Sequence, residues 1–444
     1  MNVDFAVIGG GFTGLASARD LARAGRSVAL LEADCSLGGL AGAFQPGENL
    51  QSFPKSEPID RFYHHWFTSD HEIMALIEEL GLAHAVRYEP SLTGVYYNQS
   101  ILRLSTPWDV LRFRALGLGD RFRLGLMVLR AKRIRDWAGL EDITAADWLR
   151  QIGGEDVYRT LWEPLLRGKF GAYAERVSAV WFWSKLNLRG SSRGKGGAEE
   201  LAYVRGSFAR VATAMAKDIR VHDGSILTSA RVHRLTPLRS GDSWLIETAD
   251  KTLEANRVIA TPAPALVADM IDHWAPRAEL ERLRKIPYLA NLCLVLMLDR
   301  PLSSSYWINV TDPEFPFVGV IEHTNFQSAQ DYGGRHIVYL SRYLLPEDPL
   351  YTMSDDAVLA FALPHLQRMF PAFDPAWVQE YHVWRARWAQ PVVECQYRSR
   401  IPPEDGPAPG LYLCNMAQIY PEDRGTNYAV RAGRRLSARL LAEG

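Results

Sequence analysis

The stretch from Phe5 to Gly39, FAVIGGGFTGLASARDLARAGRSVALLEADCSLGG, constrains this chain most. Phe5 to Ile8 is a short apolar run suited to a buried parallel strand. Gly9-x-Gly11-x-x-Gly14 follows at once. In such a turn the first glycine allows the tight bend and the second lets a pyrophosphate approach the backbone. The third lets the next helix pack on the strand. A helix opening at Phe12 and Thr13 turns its N–H groups and positive dipole end toward the phosphates. Leu15, Ala18, Leu21 and Ala22 recur at helical spacing, and Gly25 can close the helix. Val28 to Leu31 reads as a second strand ending at Glu32 and Ala33, with the carboxylate placed to accept from a ribose hydroxyl. That acid disfavours a 2′-phosphate and hence NADP. The strand before, the helix after and the acid at its usual distance together predict a dinucleotide site. Leu37-Gly38-Gly39-Leu40 adds a second glycine turn beside the same pyrophosphate.

The 444 residues suffice for two or three domains around a large core. A net charge of −1 gives no field to recruit nucleic acid. The four cysteines, Cys35, Cys293, Cys395 and Cys414, form no CxxC. They predict neither a disulfide framework nor a metal site, and they suit a reducing compartment. The first strand begins almost at once, so no signal peptide is expected and the expected location is cytoplasmic. No run approaches the ~18 apolar residues of a membrane span.

Further along, Ile59-Asp60-Arg61-Phe62-Tyr63-His64-His65-Trp66-Phe67 holds two histidines able to serve as acid or base, or to sit capped in a buried aromatic turn. Thr93 to Leu104 predicts a hairpin about Asn98-Gln99. From Trp108 to Trp137, eight Arg or Lys alternate with leucines and phenylalanines against three Asp. This predicts basic amphipathic helices, either lying on an anionic membrane face or solvated and packed on the rest. Val180 to Leu188 predicts an aromatic helix. Arg189 to Gly197 is a basic glycine loop that lacks Walker A spacing. Ser225 to Leu235 predicts a strand. Leu289 to Leu298 predicts a buried strand, and Phe317 to Phe326 another, with Glu322, His323 and Asn325 either facing a cavity or simply ending the strand.

Near the C-terminus, Gly410 to Asn415 reads as a short strand. After the loop Tyr420-Pro421-Glu422-Asp423-Arg424, Gly425-Thr426-Asn427-Tyr428-Ala429 opens an amphipathic helix. A helix N-terminus is worth ~0.3–2 kcal/mol toward an anion. Asp423 and Arg424 either order that loop or touch substrate.

These two ends resemble the glutathione-reductase-type flavoprotein superfamily, and within it the amine oxidase, phytoene desaturase and protoporphyrinogen oxidase branch. The resemblance covers the whole chain and is sharpest at both ends. It implies an α/β fold with a Rossmann-like FAD-binding domain, a parallel sheet in a three-layer ββα arrangement. A mixed substrate domain with an antiparallel sheet and a helical insertion completes it. The implied boundaries are 1–75, 200–285 and 395–444 for FAD, and 76–199 with 286–394 for substrate. It implies FAD held by Gly9, Gly11, Phe12, Thr13, Gly14, Glu32, Ala33, Gly38, Gly39, Leu40, Val232, Asn415, Gly425, Thr426, Asn427 and Ala429. Leu40 stands where the family usually has Arg or Lys, Cys414-Asn415 where it has Gly-Asp, and Tyr428 where Gly is common. Trp162 to Gly171 is similar to a helix-breaking stretch of the porphyrinogen oxidases. The candidate catalytic side chains are His64, His65, His323 and Tyr420. The expected reaction is hydride transfer between flavin and a large apolar substrate, isoprenoid, carotenoid-like or porphyrin-like, with peripheral contact at the cytoplasmic membrane face. The alternatives are an amine oxidase, a redox-neutral sugar-nucleotide mutase using Arg167, Arg189 and Arg193 for a diphosphate, and a protein that keeps FAD only as structure.

Overall fold

A computed structural model describes residues 2–47, 56–191, 199–238 and 243–443, with residues 189–191 as backbone only. Of the basic loop, residues 192–197, with Arg193, lie outside them, and nothing is described of the Arg189 side chain. The first strand, Asn2–Ile8, sits mid-sheet between Val28–Leu31 and Thr252–Ala260, parallel to both, and Ser225–Leu227 extends the parallel set beyond Val28–Leu31. The far edge of Thr252–Ala260 is divided. Its first residues pair antiparallel with Trp244–Thr248, which continues to Val232–Pro237, and its last three pair parallel with Leu411–Leu413.

Side-chain alternation splits this sheet into two faces. Phe5 and Val7 pack with Leu15 and Leu21, Val211 and Leu436 of the helices Phe12–Arg23, Ala209–Val221 and Thr426–Ala442. Val3, Ala6 and Ile8 pack instead under Leu235, Trp244 and Ile246 of the antiparallel arm, with Val267 and Leu280. Helices, parallel sheet and antiparallel arm thus form the three expected layers, and the fold is mixed α/β.

A second sheet runs Val378–Pro391, Tyr288–Leu298, His336–Leu344, Gly319–Glu322, Trp307–Val310, Thr93–Tyr97, Ser100–Arg103. All its pairs are antiparallel except Trp307–Val310 with Thr93–Tyr97. Every residue of Tyr288–Leu298 is buried, which explains an apolar run interrupted only by Asn291. The hairpin turns at Asn98 and Gln99, both left-handed, as its primed turn requires. Helices from Pro107–Arg112 to Ala179–Ser191 pack against the Tyr288 end of this sheet.

Several elements differ from expectation. Trp162 to Gly171 does not break the helical region. A π-helical turn, Tyr158–Trp162, runs into the helix Glu163–Phe170, where Pro164 occupies the first turn and needs no N–H partner. Ser225 to Leu235 is two strands, because the N–H groups of Ser229 and Ala230 turn aside to bond Asp34 and Glu32 carbonyls. The strand predicted to Phe326 stops at Glu322, and His323–Asn325 is a 3-10 turn.

Candidate functional site

The two glycine turns meet. Gly38 N–H donates to the Gly10 carbonyl at 2.8 Å, and Gly11 and Gly38 form a parallel bridge. Gly14 packs so closely that a Cβ there would lie 1.9 Å from the Gly9 carbonyl oxygen. Gly11 is the opposite case: its Cβ would meet no atom within 4 Å. The helix it caps has no side-chain cap, so its first N–H groups face open space. Glu32 accepts from Gly10 N–H at 2.5 Å and Asp34 N–H at 2.7 Å, which fixes the carboxylate and leaves lone pairs on both oxygens.

One cavity of about 920 Å³ joins these turns to the C-terminal helix. Gly9, Gly11, Phe12, Thr13, Glu32, Ala33, Gly38, Gly39, Leu40 and Val232 line it, as do Gly425, Thr426, Asn427 and Ala429. Gly14 and Asn415 do not. Gly14 sets the packing of the turn. Asn415 is buried nearby, caps the turn Met416–Gln418 with its oxygen, and leaves Nδ2 without a partner among the described residues. The helix Thr426–Ala442 also lacks a side-chain cap. Two uncapped helix N-termini therefore open into one groove, an arrangement suited to a ligand with anionic character at both sites. The later helix is held by Trp66, whose indole N–H donates to Thr426 Oγ1 at 2.7 Å, and by Asn427, which accepts from Ile73 N–H at 3.1 Å.

The candidate catalytic residues divide. His64 and His65 line the cavity. Burial, aided by the Arg424 guanidinium, pushes His64 down to about 4, so its imidazole is neutral near pH 7. Its Nδ1 has no partner among the described residues. His65 Nδ1 lies 3.0 Å from the Tyr306 hydroxyl. Asp60, just upstream, plays a structural part: it accepts from Tyr203 O–H at 2.6 Å and Phe208 N–H at 3.0 Å. His323 lies outside the cavity, buried against the Tyr332 hydroxyl at 2.8 Å, because its strand ends before the site. Glu322 there accepts from Leu302 and Ser303 N–H groups instead. Tyr420 also lies outside, donating to Glu141 at 3.0 Å beneath Trp137. Arg167 pairs with Glu163 at an exposed surface and does not reach the cavity.

Other residues in the cavity were not singled out as site residues from the sequence. Lys169 and Lys185 enter from the helices Glu163–Phe170 and Ala179–Ser191. Tyr288, Asn291, Tyr343 and Trp388 come from the second sheet. A lone lysine inside VWFWSKLNL was the available signal for Lys185. Of the pair left open above, Asp423 and Arg424 both line the cavity. Arg424 donates to Tyr343 Oη at 2.8 Å and Gln390 Oε1 at 3.0 Å. Asp423 pairs with Lys185 and accepts from Trp181 N–H at 3.0 Å. Burial alone would raise its pKa, but Lys185, Lys169 and Arg424 outweigh burial and hold the carboxyl well below the usual range.

The open cradle at Gly11, the two uncapped helices and the unpartnered His64 Nδ1 fit FAD stretched between them. Comparison with known proteins agrees. The family model described as flavin containing amine oxidoreductase matches residues 12–441. A putative flavin-containing monoamine oxidase of Mycobacterium tuberculosis is 24% identical over 279 residues, spanning 59% of this chain and 57% of that protein. A putative protoporphyrinogen oxidase from Exiguobacterium sp. 255-15 shares the fold with a TM-score of 0.77 at 17% identity, covering 99% of both chains. Reduced UDP-galactopyranose mutase does so with a TM-score of 0.74 at 14% identity, covering 100% of this chain and 96% of that one. With a family model spanning nearly all of it and a groove that fits the cofactor, this chain belongs to the flavin-containing amine oxidoreductase family.

Proposed function

We propose that the enzyme transfers hydride between FAD and a large, mostly apolar substrate. The observation that carries this is the wall of the cavity beyond the nucleotide groove, where Leu161, Trp162, Leu165, Phe170, Phe182 and Leu186 form an apolar chamber. Bound FAD supplies the hydride acceptor or donor. The chain's own work is positioning. The uncapped Thr426–Ala442 helix favours negative charge beside the ring. Neutral His64 offers a hydrogen-bonding nitrogen without competing for that charge. The aromatic and aliphatic wall excludes water and orients the substrate's carbon skeleton. A division into FAD-binding parts (1–75, 200–285, 395–444) and substrate parts (76–199, 286–394) accompanies this reading, since each large sheet draws its strands from one set. An ammonium substrate is disfavoured by Lys169, Lys185 and Arg424 around the chamber. Mass spectrometry of ligands extracted from the purified holoenzyme should find an amphiphile with an extended hydrocarbon or macrocyclic body. A co-purifying sugar nucleotide, or rapid flavin reduction by simple primary amines, would overturn the assignment.

The same reading places the enzyme at a membrane face. On the helix Leu118–Arg133, Leu124, Met127 and Ala131 are buried, yet Leu118, Phe122, Leu126 and Leu129 form a second, outward stripe. Leu118 is 70% exposed and nearby Trp108 69%. Arg112, Arg114, Arg123, Arg130 and Arg133 are exposed in the same segment. Apolar stripe and basic flanks are complementary to an anionic bilayer. Among the described residues no helix is long and apolar enough to cross one. The protein should therefore float with phosphatidylglycerol vesicles and much less with phosphatidylcholine. L118S/F122S/L126S should weaken that binding by ~10-fold or more, since even partial burial of three apolar side chains contributes more than the ~1.4 kcal/mol a tenfold change represents. Equal flotation of the triple variant would exclude this surface.

A further inference from the structure

The cavity wall includes a neutral polar pair with no part in the roles described so far. On the strand Trp307–Val310, alternation sends Ile308 and Val310 into the core behind the second sheet. Trp307 and Asn309 face the other way and line the cavity, each half-buried. The Trp307 indole N–H donates to Asn309 Oδ1 at 3.0 Å. An indole nitrogen can only donate, so the atom it meets is the amide oxygen, and the orientation of the amide follows. Nδ2, with two N–H groups, meets no acceptor among the described residues. Asn309 stands between Val95 on one neighbouring strand and Gly319 on the other, and both line the cavity. Gly319 has no side chain to lie across the amide. A Cβ there would meet nothing closer than 3.4 Å, so packing does not demand the glycine. The lining beside the amide is apolar, Val95 and Val318, and a Cβ on Gly168 of the overlying helix would lie 3.3 Å from Val318. An oriented amide in such a wall loses its hydration when the chamber fills, a cost offset only by an acceptor on the occupant.

We propose that Asn309 is a specificity-determining residue whose Nδ2 donates to a neutral oxygen, carbonyl or hydroxyl, on the substrate's otherwise apolar body. This rests on the apolar-substrate reading above and narrows it to an oxygenated molecule. Trp307 is the positioning residue: its N–H holds the amide oxygen and so presents the donor end. Gly319 leaves room for the incoming oxygen. The contact brings no charge into the wall, and it fixes how the hydrocarbon lies along the chamber.

The test measures binding of three volatile probes to the holoenzyme by headspace partitioning. They are 2-octanone, 1-octanol and 2-methyl-1-octene, in which a methylene replaces the ketone oxygen. Because water itself favours the oxygenated probes, the readout is the change from wild type to variant for each probe. Asn309→Val keeps a strand-forming apolar side chain and removes the donor. It should weaken 2-octanone or 1-octanol by ~10-fold, the scale of one buried hydrogen bond, and leave the alkene unchanged or tighter. The probe that loses more identifies the group as carbonyl or hydroxyl. Trp307→Phe, which keeps the ring and removes the N–H, should weaken the same probe by about threefold and spare the alkene. FAD content should stay at the wild-type level in both. If Asn309→Val fails to fold or to hold FAD, Trp307→Phe decides. Equal changes for all three probes, or none, in the deciding variant would overturn the subsite and leave the apolar chamber standing. Failure of the wild-type holoenzyme to take up any of the three would overturn the apolar reading and the subsite with it.

Discussion

Gly11→Val should give a folded, colourless protein. Its backbone at this position is extended, with φ −74° and ψ 178°, and a Cβ there would meet no protein atom within 4 Å. The folded chain therefore tolerates the side chain, which instead fills the space a pyrophosphate needs. Affinity for FAD should fall by ~100-fold or more, about 3 kcal/mol, while far-ultraviolet circular dichroism and apoprotein stability stay near wild type. Gly14→Val makes the contrast. Its side chain would collide with the Gly9 carbonyl, so folding itself should fail. Flavin retained at wild-type stoichiometry by Gly11→Val would refute the position assigned to the pyrophosphate.

The second large effect is expected at Asp423. Its side chain is 7% exposed and is surrounded by Lys185, Lys169 and Arg424. Asp423→Leu leaves those cations without their buried counter-charge and leaves the Trp181 N–H without an acceptor. Stripping one partner from a buried pair typically costs ~3–5 kcal/mol. Denaturant titration of the holoprotein should show a loss of that order. Because the folded-state pKa is held below its ordinary 3.8, the carboxylate's contribution is fully present above that value. It is lost as pH falls through the folded value, so the gap between wild type and Asp423→Asn should shrink below about pH 4. A gap that widens on acidification, or a Leu variant as stable as wild type, would contradict the cluster's electrostatics.

The nucleotide half was legible because its signals are local. Strand, glycine turn, helix and acid lie within one short stretch, and each residue's role follows from its own backbone. The Tyr288–Leu298 strand and the Asn98-Gln99 hairpin were readable for the same reason. The substrate half was not. Lys169, Lys185 and Asp423 stand on separate segments, and no periodicity announces that they share one indole. His323 shows the converse. A histidine ending an apolar strand looks like a cavity residue, but the strand stops early and buries it against Tyr332. Tyr420 is drawn away by Glu141, nearly three hundred positions earlier in the chain. Partners so distant in sequence can be assigned only once the chain is folded.

The Phe12–Arg23 helix is locked to Thr426–Ala442: the Ser17 hydroxyl donates to Gly433, and a Cβ on Gly433 would lie 2.5 Å from the Thr13 carbonyl. A ribosome making this chain emits the first glycine turn some four hundred residues before the helix whose uncapped start lines the same cavity. The nascent protein thus exposes a half-built groove throughout its synthesis. Coenzyme loading is therefore expected only after translation, and removal of the segment from Gly425 onward should abolish it even with every glycine of the opening motif intact.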